Sequence, residues 1–122
     1  MSVVNDIRTT RGLRPLRVDG ALFRVARTYS ATLIRTETFT HGAIGERLAA
    51  SGARGPVFGE NLAWDSDGST SAQGVVRSWM ASPGHRANLL RPGWTRIGIG
   101  ALKGSFRGYR DATVVTADFA GS

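Results

Sequence analysis

Strict alternation near the end of this chain constrains its fold more than any other feature. In residues 94–102, Ile97, Ile99 and Ala101 take every second position, with Gly98 and Gly100 between them. That period of two predicts a strand. Residues 112–119 read as its return strand, joined through a glycine-bearing connection at 103–110. A third strand is predicted over 57–64, behind Pro56. Everything else with a pattern has the helical period, and most of it comes earlier in the chain. Helices first and a hairpin last argue for an α+β fold rather than a doubly wound parallel sheet.

The helices announce themselves by their apolar faces and their ends. Val3, Val4 and Ile7 share one face over 2–10. Asp19 is a good N-cap for a helix over 20–35, with an inward stripe of Leu22, Val25, Ala26, Tyr29, Leu33 and Ile34. A short helix over 44–50 turns Ile44 and Leu48 inward, and Gly52 stops it. Thr70 or Ser71 can cap the next, which carries Val75, Val76, Trp79 and Met80. Residues 13–16 read as an extended connector and 65–69 as a turn cluster. At 122 residues the chain is long enough for one domain with its own core, spanning 1–122.

Composition excludes several chemistries. Cysteine is absent, which removes disulfides, thiolate catalysis and cysteine metal sites. No apolar run reaches the length of a transmembrane segment. Polar and charged residues follow Met1, so no secretory leader pattern stands in the chain as written. The net charge is +7, and of 16 basic residues only Lys103 is a lysine. Seven arginines lie in the first 35 positions: Arg8, Arg11, Arg14, Arg17, Arg24, Arg27 and Arg35. No aromatic residues interleave with them, as single-strand stacking would need. They are read as a solvated or polyanion-facing face, open to anionic cell-surface polymers or lipid head groups, with no sequence-specific nucleic acid as partner. No nucleophile elbow or P-loop is present, and Gly98-Ile99-Gly100 reads as close packing rather than phosphate binding.

The segment Ser82-Pro83-Gly84-His85 is a helix start with a histidine in its first turn. Ser82 is the N-cap and Pro83 the first helical residue. The positive end of the helix dipole biases His85 toward neutral imidazole, the form that accepts a proton or a metal. Arg86 can reach a carboxylate, and Asn88 can bond backbone. Glu60 lies in a segment otherwise fit for burial, so it needs a partner or a raised pKa. Asn61 beside it can orient a neighbour. His41, the other histidine, sits in a loop. Two histidines and a carboxylate can form a facial metal site, although the spacing 41, 60, 85 matches no short metal motif.

Taken in order, these residues resemble the CAP superfamily: cysteine-rich secretory proteins, antigen 5 and pathogenesis-related 1, also called the SCP domain. The likeness runs over nearly the whole chain, in its cysteine-free bacterial form. It rests on Asn5-x-x-Arg8, Gly12-Leu13-x-Pro15-Leu16-x-x-Asp19, Phe39-Thr40-His41 and Gly59-Glu60-Asn61-Leu62. It continues in Trp79-x-x-Ser82-Pro83-Gly84-His85-Arg86-x-Asn88-Leu89-Leu90 and Ile97-Gly98-Ile99-Gly100.

The resemblance implies a three-layer α-β-α sandwich with a mainly antiparallel central sheet. It also implies a central cleft at His41, Glu60 and His85, with Asn61 and Ser82 beside them. It implies that His41 and His85 can hold a divalent ion such as zinc, with no cofactor strictly required. Animal and plant members carry a second glutamate where Ser82 stands, and their second histidine near Trp94-Thr95-Arg96, so the full two-histidine, two-glutamate tetrad is absent. Glu46 fits the family's Glu-Arg-Leu helix, a structural element. The function implied is a monomeric, secreted or cell-surface binding module for a small molecule, lipid or cell-surface polymer. The rival is a metal-assisted hydrolase with Glu60 as general base.

Overall fold

The strand β4 (Tyr109–Gly121) is buried on both faces, and this organises the molecule. A computed structural model describes residues 2–122. Successive strand residues point to opposite sides. Val114 and Ala120 therefore pack on one side, with Leu33 and Leu62 or with Leu22 and Leu48. Val115, Ala117 and Phe119 pack on the other, with Val4, Val75, Val76, Trp79 and Leu89. One sheet between two helical layers gives the expected α-β-α sandwich.

The helices fall where their apolar faces predict: α1 (Ser2–Thr10), α2 (Gly20–Thr36), α3 (Ile44–Ala50), α4 (Ala72–Met80) and α5 (Pro83–Leu89). Asp19 caps α2 by accepting from the Leu22 N–H at 3.0 Å, and Ser71 caps α4 by accepting from Gly74 at 3.1 Å. The layer of α2 and α3 covers one face of the sheet, and that of α1, α4 and α5 the other.

The sheet order is β1-β3-β4-β2, with β1 at Arg17–Val18, β2 at Val57–Asp65 and β3 at Trp94–Phe106. The β2–β4 and β3–β4 pairs are antiparallel, while β1 pairs with β3 in parallel. Two details differ from the sequence expectation. The connector after residue 16 contributes β1, a strand of two exposed residues with no alternation to reveal it. The hairpin arms are longer than expected and absorb most of 103–110, leaving a tight turn at Arg107-Gly108.

Gly98 and Gly100 act as the close-packing positions expected of them. A Cβ on Gly98 would lie 2.2 Å from the Phe23 nitrogen, and one on Gly100 2.3 Å from the Arg27 nitrogen. The backbone of α2 therefore rests directly on β3, which only glycine permits.

The N-terminal arginines are not uniformly a solvated face. Arg8 is fully buried. Its Nη1 donates to the carbonyls of Leu89 and Arg91 at 2.8 and 3.0 Å, and its Nε to that of Arg14 at 2.9 Å. A cation at the C-terminal end of α5 satisfies carbonyls that the helix leaves open. The remaining six are exposed.

Candidate functional site

Strand β2 is an edge of the sheet, and both helical layers reach around it. Glu60 and Asn61 are neighbours in β2, so their side chains leave opposite faces. Glu60 turns toward the α2–α3 layer, where it meets Arg47 of α3 and His41 of the preceding loop. Asn61 turns toward α5, where its Nδ2 donates to the His85 carbonyl at 3.1 Å. Asn88 of α5 donates to the Glu60 carbonyl and to Asn61 Oδ1, both at 3.0 Å. Trp79 Nε1 donates to the Leu62 carbonyl at 3.0 Å. These bonds fasten α4 and α5 to the sheet edge, and they occupy β2 carbonyls that another strand would otherwise pair with.

The resulting cleft has a volume of about 530 Å³ and is lined by His41, Glu60, Asn61, Ser82, Gly84, His85, Ala87, Asn88 and Arg91. All five residues singled out in the sequence therefore line one cavity. A second hollow of about 340 Å³ adjoins it, shares Ser82 and His85, and is walled by Phe39, Leu62, Ala63, Trp64, Ser78 and Trp79.

Glu60 is fully engaged. Its side chain is wholly buried, and Arg47 donates to Oε2 at 2.7 Å and to Oε1 at 3.0 Å. His41 Nδ1 lies 2.9 Å from Oε1; a carboxylate only accepts, so the ring nitrogen donates. Burial opposes the charge on Glu60, but hydrogen bonds from Asp118, Arg47 and His41 outweigh it and hold the carboxyl below the usual range. Arg47 is itself fixed: its guanidinium carbon lies 3.5 Å from the centre of the Tyr29 ring, and its Nη2 donates to the His41 carbonyl at 2.8 Å. The Tyr29 hydroxyl donates to the Thr40 carbonyl, which ties the same loop to α2.

Sequence reasoning missed Asp118 and undervalued Arg47. Asp118 stands directly opposite Glu60 on β4 and is completely buried. Burial, and then the neighbouring Glu60, push its pKa up to about 10, so it is a neutral acid at pH 7. The available signal was an acid between Ala117 and Phe119 in an otherwise buried strand, the same signal that picked out Glu60. Arg47 carried no signal beyond its place in a short helix.

Two local expectations are corrected, and a third holds in direction. Ser82 makes no side-chain cap bond on α5; its carbonyl accepts from Arg86 at 2.8 Å, while Pro83 lacks an N–H to offer at the first helical position. The residue lines the cleft instead. Among the described residues Arg86 reaches no carboxylate: it is exposed, and the ion pairs belong to His41, Arg47 and Arg96. His85 is held below the ordinary histidine value, in the expected direction, by burial first and by His41 second.

Protein zinc centres use three or four ligands. Here Glu60 is held by Arg47, and His41 Nδ1 is held by Glu60, leaving His41 Nε2 and the His85 imidazole. Among the described residues no three histidine or acidic side chains are grouped to hold an ion. The facial two-histidine, one-carboxylate arrangement therefore does not form, because Arg47 claims the carboxylate.

The chain is 33% identical over 108 residues to the Bacillus subtilis (strain 168) protein YkwD, covering 84% of this chain and 41% of YkwD. It is 30% identical over 106 residues to the membrane protein YlbC of the same strain, covering 82% of this chain and 30% of YlbC. The chain thus spans less than half the length of either relative.

Its fold matches an extracellular protein containing an SCP domain from Bacillus anthracis (TM-score 0.78, 27% identity, 98% of this chain and 38% of that one). It also matches an outer surface protein of Borrelia burgdorferi (TM-score 0.79, 25% identity, 99% and 89%). No helix among the described residues is long and apolar enough to cross a membrane. Residues 1–119 match the model of the CAP, or cysteine-rich secretory protein, family. With its sandwich, its edge cleft and its lack of cysteine, the chain belongs to the CAP family, in the cysteine-free bacterial branch.

Proposed function

We propose that this CAP domain is a ligand-binding module of the cell exterior, and that His41, Glu60, Asn61, Ser82 and His85 form its binding cleft. The observation that carries this reading is the state of Glu60. A general base must reach the proton it removes and hold a pKa near the working pH. Glu60 is buried, bidentately paired with Arg47 and shifted the other way. Its role is to hold His41 and to carry a charge that Arg47 already neutralises. The open cleft, with His85 and Ser82 on its wall, is suited to recognition. The exterior location rests on relatives described as extracellular and outer-surface proteins.

No resident metal is part of this reading. An ion on His41 Nε2 and His85 would depend on water or ligand for its remaining coordination.

The test is turnover. The protein is incubated with peptide, ester and glycoside substrates, with and without added zinc, beside the variants Glu60→Gln and His85→Ala. The expected result is no hydrolysis above that of the variants. Turnover that vanishes in Glu60→Gln while that variant stays folded would establish the hydrolase instead.

A further inference from the structure

We infer that the cleft takes its ligand through an anionic oxygen group, a carboxylate or phosphate, seated on Arg91 with Ser82 and His85 beside it. This rests on the binding-module reading and names the chemistry of its ligand. Arg91 lies on the cleft wall just beyond α5. Its guanidinium carbon is 4.5 Å from the centre of the Trp94 ring, a stacking contact that orients the plane. Its main chain is tied down as well, since the Arg91 carbonyl accepts from buried Arg8 at 3.0 Å. The side chain is therefore held in place before any ligand arrives.

Yet its charge is unanswered. Among the described residues no carboxylate lies within ion-pairing distance of Arg91. Among the described residues its buried Nη1 has no hydrogen-bond partner. A planar guanidinium held by an aromatic ring is suited to the two oxygens of a carboxylate or phosphate.

The rest of the cleft agrees. Glu60 is the one acid on its wall, and Arg47 neutralises it. Asp118 behind it is uncharged at neutral pH. Among the described residues Arg91 makes no ion pair. The Ser82 hydroxyl makes no cap bond, and no hydrogen bond engages the His85 imidazole among the described residues, so both are uncommitted. Beyond Ser82 and His85 the cleft continues into the hollow walled by Phe39, Leu62, Trp64 and Trp79. A ligand with an acidic head and a flat apolar body would fill both parts.

The experiment compares 6-phenylhexanoate, 6-phenylhexyl phosphate and the neutral 6-phenylhexanol, titrated by calorimetry and by amide chemical shifts at Ser82, His85 and Arg91. At least one acid should bind about tenfold or more tightly than the alcohol, as a charge-assisted bond implies. The better acid tells a carboxylate site from a phosphate site. Arg91→Gln should bring that acid down to the level of the alcohol, while Arg91→Lys retains part of the difference. Should Arg91→Gln not fold, the comparison of acids with alcohol on the parent protein decides alone. Equal binding of acids and alcohol in the cleft would overturn the anion site and leave the binding module standing. No binding by any of the three would overturn the anion site too.

Discussion

Glu60 and Asp118 stand directly opposite each other on β2 and β4, with both side chains on the α3 face of the sheet and out of water. Among the described residues neither Asp118 oxygen finds a donor, and Arg47 Nη1 lies 3.8 Å from it. Two carboxylates so placed cannot both ionise. Arg47 and His41 favour the charge on Glu60, so the proton stays on Asp118, which then donates to Glu60. A neutral acid, a carboxylate, an arginine and a histidine form one chain of contacts that ends on the cleft wall.

A pH dependence follows with a definite sign. Asp118 has an ordinary value of 3.8 and is pushed up to about 10 in the fold. Between those values the folded chain holds a proton that the unfolded chain releases, so this group lowers stability as pH rises. Asp118→Asn keeps a donor toward Glu60 and cannot ionise. Its free energy of unfolding in urea should exceed that of the parent by an amount growing from pH 5 to pH 9, by up to about 1.4 kcal/mol per pH unit. Parallel stability curves for the two proteins over that range would show that Asp118 is not the neutral partner.

Arg47→Met should be severe at neutral pH and milder in acid. It leaves the Glu60 carboxylate buried without a counter-charge, a loss of about 3–5 kcal/mol. In the parent, Glu60 lies below its ordinary 4.5 and contributes stability that is lost as pH falls through its folded value. In the variant burial acts on Glu60 unopposed by arginine, so protonation relieves the buried charge and the loss shrinks toward pH 4. The double variant Arg47→Met with Glu60→Gln should recover most of the neutral-pH loss. A double variant no better than the single one would mean that Arg47 acts through packing on Tyr29 instead.

Gly98→Ala tests how α2 is seated. The new methyl would meet the Leu22 and Phe23 backbone at 2.2–2.7 Å, and a helix backbone cannot move aside as a side chain can. The expected loss is about 3 kcal/mol or more. Gly45→Ala, where nothing lies within 4 Å, is the matched control and should be near neutral. Equal effects from the two would remove close approach as the reason for the glycine.

The elements were legible where one physical signal dominated. Asp19 marked the start of α2 because an N-cap and an apolar stripe coincide there. The hairpin was legible because Ile97 and Ile99 alternate with glycines. Strand β1 was not, because its two exposed residues owe their conformation to pairing with Arg96 and Ile97 on β3. His41, Glu60 and His85 were found through their motifs, but what Glu60 does was hidden. Its charge is set by Arg47, 13 residues before it, and by Asp118 across the sheet, and only the register of β2 with β4 brings these together. Arg8 was misread for the same reason. Its charge suggested solvent, while the carbonyls it answers lie more than 80 positions away.

Arg8 therefore makes the strongest prediction about the cleft from outside it. Its guanidinium bonds the carbonyls of Arg14, Leu89 and Arg91, and so joins α1 and its following loop to the end of α5. Burial lowers its pKa first, and nearby Arg14 lowers it further; among the described residues no carboxylate pairs with it. Arg8→Met fits the apolar surroundings but leaves three carbonyls without their donor. Each lost bond to a charged group is worth about 1.5–3 kcal/mol, partly offset by removing a buried charge, so the net loss should be about 2–4 kcal/mol. The end of α5 should loosen with it, which amide hydrogen exchange would report as faster exchange at Leu89, Leu90 and Arg91 than at Val75 and Val76 in α4. Because Arg91 is then no longer held against Trp94, binding of the acidic probes should weaken more than binding of phenylhexanol. A variant that exchanges uniformly faster, with acid and alcohol weakened alike, would make Arg8 a general stabiliser with no particular hold on the cleft.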